Sequence, residues 1–414
     1  MRIAIATSVY YPMINGVAMF SYNLASGLAA RGHEVLVLTP SQTKKRHSEM
    51  VNGVRVVYLR SSDIKIYPDQ IHDVPEKKHW FYKHGLKASL MPKGQIKRVL
   101  DAFRPDVLHV QGSDPIGLSV VAYARKNDIP VVTTEHNQPE VLTESLHIPG
   151  MMRKPVNNVL SAYFVNRQSK SDYVTMPTKL AIKKLIGDKD LGVPVEAVSN
   201  GVDLTAFKPG KPDAHIYNIY NIPKDVPIIL YIGRVDPEKK VGVVLQAFKD
   251  FLTQCKDNKL DKLSKTLFVV VGDGVDKPRL EKQAVSLGID KSVRFLGRVT
   301  GPDLNELYRL GDVFVTASEI ETQGIVLIEA AASGLPLIAV DAGAVAEVCI
   351  NKENGFLLTP GDIKGMAGAM FELMTDDKLR KNMALKSVQI AGEHSLDKTI
   401  DKFLQIYEKV CYNR

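Results

Sequence analysis

Two carboxylates, Glu321 and Glu329, bracket a glycine and an apolar run in the last third of the sequence. The pattern predicts a short helix over 325–332, because Gly334 supplies a C-terminal stop and Pro336 prevents continuation. Free backbone N–H groups at the start of such a helix favour an anion. Glu329 would lie within the apolar run, where an unpaired carboxylate is costly or loses its charge. Sugar hydroxyls are suitable partners; the alternative is that Glu321 caps the helix and Glu329 pairs with a Lys or Arg.

A second group of candidate residues follows apolar segments that are predicted to be strands. Arg234 and Lys239 stand across a turn after the segment 228–233. Arg234 can bind a phosphate with two parallel N–H groups, and Lys239 can add a point charge. Gly272 and the stretch 295–299 mark two further turns after strands. Each turn alone is typical of a solvated surface, but together with Glu321 they indicate a diphosphate site.

Strands and helices alternate along the chain, which is typical of parallel sheets covered by helices. We predict an α/β fold with two doubly wound domains, 1–205 and 206–391, that face a central cleft. The stretch 203–226 is rich in Pro, Lys and Asn, lacks apolar periodicity and is predicted to be the linker. The predicted strands are 2–7, 34–39, 55–59, 107–110, 131–134 and 173–176, then 228–233, 267–272, 293–296, 313–316, 337–340 and 356–358.

Composition excludes several classes of protein. A chain of 414 residues with 45% hydrophobic and 24% charged residues is ordinary for a soluble globular protein and favours two domains. The three cysteines are far apart, which argues for reduced thiols and against a disulfide framework or a zinc site. No segment approaches the roughly 18 apolar residues of a spanning helix, and the N-terminus reads as a strand rather than a signal peptide. We therefore expect a cytoplasmic protein that is not integral to a membrane.

A nicotinamide dehydrogenase is the obvious competing interpretation of two doubly wound domains. Its three-glycine fingerprint should follow the first strand. The loop at 8–17 contains the single glycine Gly16, and the second strand ends at Thr39 and Pro40 rather than at an acidic residue. The sequence therefore excludes dinucleotide binding of this kind.

The order of these motifs resembles that of glycosyltransferase family 4, which are retaining nucleotide-sugar enzymes of the GT-B fold. The resemblance covers nearly the whole chain and implies two Rossmann-like domains, the first for the acceptor and the second for the nucleotide sugar. It also implies that the C-terminal helix, 392–414, crosses back onto the first domain. The motifs that carry it are 200–203, 233–239, 272–274, 295–297 and 321–330, with 15–17, 31–35, 105–110 and 133–136 in the first half.

The resemblance also implies roles for individual residues. Arg234 and Lys239 would neutralise the donor diphosphate, Glu321 would hold the transferred sugar, and Glu329 would bind the ribose. The implied catalytic set is Arg234, Lys239, Glu321 and His136. The resemblance implies no metal or other cofactor and no protein nucleophile. Further donor-side residues would be Gly16, Gly272, Arg298, Val299, Thr322, Gln323, Gly324 and Ile325. Acceptor-side residues would be Asn15, His109, Asp114 and His136, although His109 reads equally well as a strand residue packed beneath the site.

The excess positive charge lies in the first half of the chain. Residues 1–205 hold 26 Lys and Arg against 18 Asp and Glu, whereas residues 206–414 hold 28 of each. The excess concentrates in 42–103 and 150–184. Aromatic residues interleaved with lysines suit the headgroup region of an anionic membrane, and a solvated surface loop is the alternative. The predicted membrane-docking residues are Lys77, Lys78, Trp80, Phe81, Lys83 and Lys87.

The loops at 11–18 and 321–324 are similar to those of the branch that glycosylates diacylglycerol. We therefore expect UDP-glucose as donor and a membrane lipid as acceptor, with the protein peripheral on the inner face of the cell membrane. A GDP-mannose- or UDP-sugar-dependent transferase with a soluble or polysaccharide acceptor is the alternative, and a non-enzymatic nucleotide-sugar-binding protein is a second one. No nucleic-acid partner is expected, because the chain lacks a recognition motif. Oligomeric state stays open.

Overall fold

The computed structural model describes residues 1–11, 13, 15–63, 87–89, 92–145, 148–187 and 189–412. The chain divides into two compact α/β units. Unit 1 comprises Met1–Gly201 together with Leu396–Arg414, and unit 2 comprises Val202–Ser395. These boundaries lie within a few residues of those predicted at 205 and 391.

Unit 1 is built on an eight-stranded sheet in the order β10-β9-β8-β7-β1-β2-β4-β3. All neighbouring strands are parallel except the edge strand β3, which is antiparallel to β4. The six strands predicted for this half are present, and the sequence analysis missed the two edge strands, β3 and β10. The strands are β1 Arg2–Thr7, β2 Glu34–Pro40, β3 His47–Val51, β4 Val54–Leu59, β7 Val107–Gln111, β8 Val131–Thr134, β9 Tyr173–Met176 and β10 Val195–Ala197, with a separate short pair, β5 Ser62–Asp63 and β6 Lys87–Ala88.

Helices cover both faces of this sheet because its strands are apolar on both sides. On one face of the sheet, Ile3 and Ile5 share a buried cluster with Phe20 of the first helix. On the opposite face, Ala4 shares a second cluster with Ile96 of the second helix. The helices of unit 1 are α1 Gly16–Ala30, α2 Lys93–Phe103, α3 Pro115–Lys126, α4 Pro139–Ser145, α5 Gly150–Gln168, α6 Lys179–Leu185 and the C-terminal helix, which is described below.

Unit 2 contains a six-stranded, fully parallel sheet in the order β13-β12-β11-β14-β15-β16. Counted along the chain, its strands therefore stand as third, second, first, fourth, fifth and sixth, which is the doubly wound arrangement. The order reverses between β11 and β14, and ligands bind at such a point in open α/β sheets. The strands are β11 Ile228–Ile232, β12 Leu267–Val271, β13 Val293–Gly297, β14 Val313–Val315, β15 Leu337–Val340 and β16 Gly355–Leu358.

The segment 203–226 is not a linker, so this prediction is wrong. It contains a short helix, α7 Ala214–Ile219, whose N-cap Asp213 accepts a hydrogen bond from the His215 backbone N–H. Ile216 and Ile222 are buried in the core of unit 2. A helix of six residues and two buried isoleucines are too few to show a periodic pattern in the sequence. The other helices of unit 2 are α8 Val241–Asp257, α9 Lys277–Ser286, α10 Pro302–Leu310, α11 Ile325–Ala332, α12 Ile363–Thr375 and α13 Asp377–Gly392.

The C-terminal helix, α14 Leu396–Tyr412, belongs to unit 1 although the chain reaches it from unit 2. Its apolar side buries Phe403 and Tyr407 in the same cluster as Phe20 of α1. At the rim, Arg31 forms an ion pair with Asp397 at 2.8 Å. The helix therefore completes the core of the unit in which the chain began.

Candidate active site

Three turns follow neighbouring strands of unit 2 and are joined by their backbones. Gly233 after β11 donates to the Val271 carbonyl at 3.0 Å, and Gly272 after β12 donates to the Gly297 carbonyl at 2.8 Å. Val235 then donates to the Asp273 carbonyl at 3.0 Å. The sequence analysis placed these turns together only by inference from the parallel sheet, and the structure brings them into hydrogen-bond contact.

Gly272 can only be glycine at this place. Its φ of +144° lies in a region that L-residues rarely adopt, and an added Cβ would overlap the Gly233 carbonyl oxygen. The close approach of the two backbones, rather than a side chain, therefore sets the spacing of the first two turns.

Lys239 and Glu321 form the most buried ion pair of these strand ends. Lys239 lies in a single 3-10 turn after β11, and Glu321 lies in the loop between β14 and α11. The Lys239 Nζ donates to Glu321 Oε1 at 2.6 Å, and it lies 3.4 Å from the hydroxyl of buried Ser318. Each charged side chain is only 14% exposed. The two loops meet because β11 and β14 are neighbours at the point where the strand order reverses.

Arg234 lies on the same turn but is more exposed. Its guanidinium binds the carboxylates of Asp236 and Glu238, the latter at 2.6 Å. Both predicted diphosphate-binding cations are therefore held by carboxylates in this structure. Such charge-assisted hydrogen bonds fix the positions of the two cations.

The helix α11 begins where the sequence predicted. Its N-cap is Gly324, with φ of +75°, so no side chain caps it and the alternative in which Glu321 does so is wrong. Gln323 and Gly324 are buried, while Thr322 and Ile325 are partly buried. The first N–H groups of the helix and its dipole favour a negative charge here, beside Glu321.

Glu329 lies on the second turn of α11 and accepts a hydrogen bond from the Tyr308 hydroxyl at 2.7 Å. The donor is a phenol of α10, so the alternative in which a Lys or Arg neutralises this carboxylate is wrong. Burial raises the pKa of Glu329 to about 7, although the Tyr308 hydrogen bond acts in the opposite direction. Hydrogen bonds donated by a ligand would stabilise the charged form of a carboxylate whose pKa is raised in this way.

In unit 1, His136 follows β8 and is oriented by a neighbouring strand. Its Nε2 donates to Gln111 Oε1 at 2.8 Å, at the end of β7, and its ring lies 5.2 Å from that of Phe20. Burial lowers the pKa of His136 to about 4, so the ring is neutral at physiological pH. If Nε2 carries the proton for Gln111, Nδ1 is left as the accepting nitrogen.

His109 cannot contact an acceptor, so its predicted acceptor-side role is wrong. It is fully buried, with Nδ1 at 2.6 Å from the Tyr407 hydroxyl and Nε2 at 2.7 Å from Thr134 Oγ1. Burial lowers its pKa to about 3. It therefore fastens α14 to the sheet, which is the packing role that the sequence left as an alternative.

Asp114 and Asn15 both serve as helix N-caps in unit 1. Asp114 Oδ1 accepts from the Ile116 and Gly117 backbone N–H groups at 2.8 and 2.9 Å, so its carboxylate stabilises α3. The capping contact does not test the acceptor-side role of Asp114, which stays a prediction. Asn15 Oδ1 accepts from the Ala18 backbone N–H at 2.9 Å, which starts α1 at exposed Gly16.

The remaining predicted residues divide into two groups. Arg298 is exposed and Val299 is partly buried against the apolar core of unit 2, just beyond β13. Lys77, Lys78, Trp80, Phe81 and Lys83 lie outside the described residues, and the side chain of Lys87 is likewise not described.

Sequence reasoning missed three residues of these sites. Ser318 lies beside Lys239, Tyr308 binds Glu329, and Gln111 orients His136. Only Gln111 carried a signal, because it directly follows the strand predicted at 107–110. The other two come from elements that touch the site only after folding.

Comparison with known proteins assigns the chain to a family. The model described as Glycosyltransferase Family 4 matches residues 14–206, and the model described as Glycosyl transferases group 1 matches residues 213–388. Together they match most of the chain. The chain belongs to glycosyltransferase family 4. It is a hexosyltransferase, and its two Rossmann-like units are of the GT-B class.

The relatives of this family 4 enzyme carry names that state different donors or products. An alpha-monoglucosyldiacylglycerol synthase of Acholeplasma laidlawii is 28% identical over 82% of this chain and 80% of its own. A GDP-mannose-dependent alpha-mannosyltransferase of Mycobacterium tuberculosis is 29% identical over 99% and 97%. Among solved structures, the sucrose-phosphate synthase of Thermosynechococcus elongatus matches with a TM-score of 0.75 at 18% identity, covering both chains completely. This last likeness shows the fold.

Two further observations concern the described part of this glycosyltransferase. No group of three His, Cys, Asp or Glu side chains there is placed to hold a metal ion. No described helix is long and apolar enough to cross a membrane.

Proposed function

We propose that this enzyme transfers a hexosyl group, with retention, from a nucleotide sugar bound by unit 2 to an acceptor hydroxyl. The observation that carries the proposal is the Lys239–Glu321 ion pair at the N-terminus of α11, with Arg234 on the same turn. These groups combine cations for a diphosphate with a carboxylate for sugar hydroxyls. Such a combination suits a donor whose phosphate and sugar are adjacent.

The residues of unit 2 divide the donor between them. A diphosphate would exchange its oxygens for the carboxylates that now hold Lys239 and Arg234. Glu321, released from Lys239, would accept hydrogen bonds from the sugar, and Glu329 would accept them from the ribose. The ribose hydroxyls would favour the charged form of Glu329 and lower its raised pKa.

Transfer breaks the bond between the anomeric carbon and the diphosphate oxygen and forms one from that carbon to the acceptor oxygen. Negative charge grows on the leaving diphosphate, where Lys239, Arg234 and the first N–H groups of α11 would stabilise it. In same-face attack, the acceptor proton passes to the leaving diphosphate oxygen, so no protein nucleophile is required. His136, neutral and oriented by Gln111, would contact the acceptor bound by unit 1.

UDP-glucose and a membrane lipid such as diacylglycerol are the proposed substrates. The Acholeplasma relative supports this choice by its name, as do the loops at 11–18 and 321–324. The protein would then act at an anionic membrane surface on the cytoplasmic side. The mannosyltransferase relative, which matches over nearly the whole chain, supports GDP-mannose as the second candidate donor.

A donor panel tests the proposal. Purified enzyme is given UDP-glucose, UDP-galactose or GDP-mannose, each with and without anionic vesicles that contain diacylglycerol, and both nucleotide release and glycolipid are measured. Lipid-dependent consumption of UDP-glucose with a glucolipid product would support it. Consumption of one donor that ignores lipid would redirect the search to soluble acceptors, and consumption of none would refute the donor site.

A further inference from the structure

The helix α5 carries apolar side chains on a side that faces solvent. Met152, Val159 and Tyr163 are 49%, 69% and 37% exposed and recur at helical spacing along one side. Met151, 87% exposed, adds a further apolar side chain beside this stripe at the start of the helix. The buried residues of the same helix are Phe164 and Gln168, so the stripe is distinct from the side that packs onto unit 1.

Cations without acidic neighbours accompany this stripe. Residues 150–171 contain Arg153, Lys154, Arg167 and Lys170, and no Asp or Glu. A helix with an exposed apolar side and flanking cations is the composition of an interfacial helix on anionic lipid. Each Lys or Arg near such a surface adds electrostatic attraction to the anionic lipid.

A cavity of about 300 Å³ lies between α3 and the C-terminal end of α5. Leu118 and Val121 form part of an apolar wall, and Arg125, Arg167 and Lys170 supply three cations. This volume is at the lower end of small-molecule sites. It suits a phosphate with a few attached carbon atoms.

The Nε–H group of Arg167 is buried without a hydrogen-bond acceptor in the described part of the chain. A buried donor without an acceptor is destabilising, and an anion in the cavity would supply one. The Arg167 guanidinium also lies 5.1 Å from the ring centre of Tyr163, so the cavity adjoins the exposed stripe.

We propose that the stripe of α5 enters an anionic bilayer and that the α3–α5 cavity binds the phosphate headgroup of one lipid from it. Arg125, Arg167 and Lys170 donate to the phosphate oxygens, and the glycerol carbons lie against Leu118 and Val121. The site is formed by unit 1 alone. The role of this cavity rests on the proposed lipid acceptor, but the cavity can bind a lipid headgroup without any sugar donor.

Vesicle binding without donor tests the stripe. We expect wild-type protein to sediment with vesicles of phosphatidylcholine and phosphatidylglycerol, and far less with phosphatidylcholine alone. Met152→Asp with Val159→Asp should lower partition about tenfold or more, because two charges replace exposed apolar groups that the bilayer would cover. The matched control is Leu385→Asp, at an exposed leucine of α13. Equal binding by the stripe variant, equal binding to neutral vesicles, or no binding by wild type would each overturn docking.

Short-chain phosphatidylglycerol below its micelle concentration tests the cavity. It should raise Tm of the wild-type protein, and the double variant Arg167→Gln with Lys170→Gln should lose this rise. The control variant, Lys282→Gln with Lys378→Gln, changes two exposed lysines of unit 2 and should keep it. Inorganic phosphate that gives the same rise would overturn the lipid source, and a rise retained in the cavity variant would overturn the cavity. Glucolipid synthesis in detergent is measured in parallel. Its failure with intact vesicle binding would refute the proposed function alone.

Discussion

Lys239 and Glu321 lie 82 positions apart in the chain, yet Lys239 Nζ is 2.6 Å from Glu321 Oε1. The pair exists because β11 and β14 are adjacent in the sheet and each is followed by a loop at the same edge. Each charge satisfies the other in this pair, and under the proposed function a nucleotide sugar would separate them. The pair is therefore the point at which donor binding can be tested most directly.

Lys239→Ala should lower kcat about 100- to 1,000-fold, as expected when one donor to a developing charge is removed. The carboxylate of Glu321 also loses its partner, so a modest fall in Tm should accompany the loss of transfer. Lys240→Ala is the matched control, because Lys240 is the next residue and is exposed. Steady-state kinetics and thermal unfolding of both variants measure the expected falls in kcat and Tm. Wild-type turnover by Lys239→Ala would remove it from the site.

Glu329→Gln should stabilise the protein at high pH and abolish transfer. Burial raises the pKa of Glu329 from 4.5 to about 7, so the folded protein binds this proton more tightly than the unfolded chain. The stability contributed by the neutral acid is complete below about pH 4.5 and is lost as pH rises through 7. The variant should therefore match wild type below pH 4.5 and exceed its stability at pH 8 by on the order of 2 kcal/mol.

The measurement is Tm of both proteins across this pH range, with Glu372→Gln, on the exposed side of α12, as the control. A Tm difference independent of pH would contradict the raised pKa. Full transfer activity in Glu329→Gln would contradict its proposed role at the ribose.

Gln111→Glu should impair the reaction through His136. A carboxylate at 2.8 Å would favour the imidazolium and raise the pKa of His136 from about 4 toward neutrality. The neutral ring would then be depleted at pH values below the raised pKa, so kcat should fall about tenfold for each pH unit below it and recover as pH rises. Donor KM should stay unchanged, since Gln111 lies in unit 1. Gln389→Glu, at an exposed site of α13, controls for the added charge, and a pH profile identical to wild type would refute the positioning role.

Gly272→Ala should unfold the strand-end turns of unit 2. The added Cβ would overlap the Gly233 carbonyl oxygen, and φ of +144° is strained for alanine, so we expect a cost above about 3 kcal/mol. Gly361→Ala is the matched control, because Gly361 also has a positive φ, +82°, but an added Cβ would meet no atom within 4 Å. It should cost about 1 kcal/mol. Chemical denaturation compares the two, and equal costs would show that close backbone approach does not matter here.

Much of the fold could be predicted from local patterns. The strands β1, β8, β9 and β15 and the helix α11 have the predicted bounds, because apolar runs and a Gly-Pro stop are encoded within a few adjacent residues. The edge strand β3 escaped prediction, because its residues are mostly exposed and show no apolar run. The helix α7 escaped because it is short: it buries only Ile216, and the second buried isoleucine, Ile222, lies beyond its end.

The sequence by itself determined which residue types follow which strands, since each motif is local to one turn. Only the tertiary structure decided their partners. His109 became a buried anchor for Tyr407, Glu321 paired with Lys239, and Glu329 met Tyr308. These contacts depend on strand order and helix packing, which bring together atoms far apart in the chain. Burial then set the pKa values of Glu329 and His136, because desolvation depends on all the surrounding elements and on no single motif.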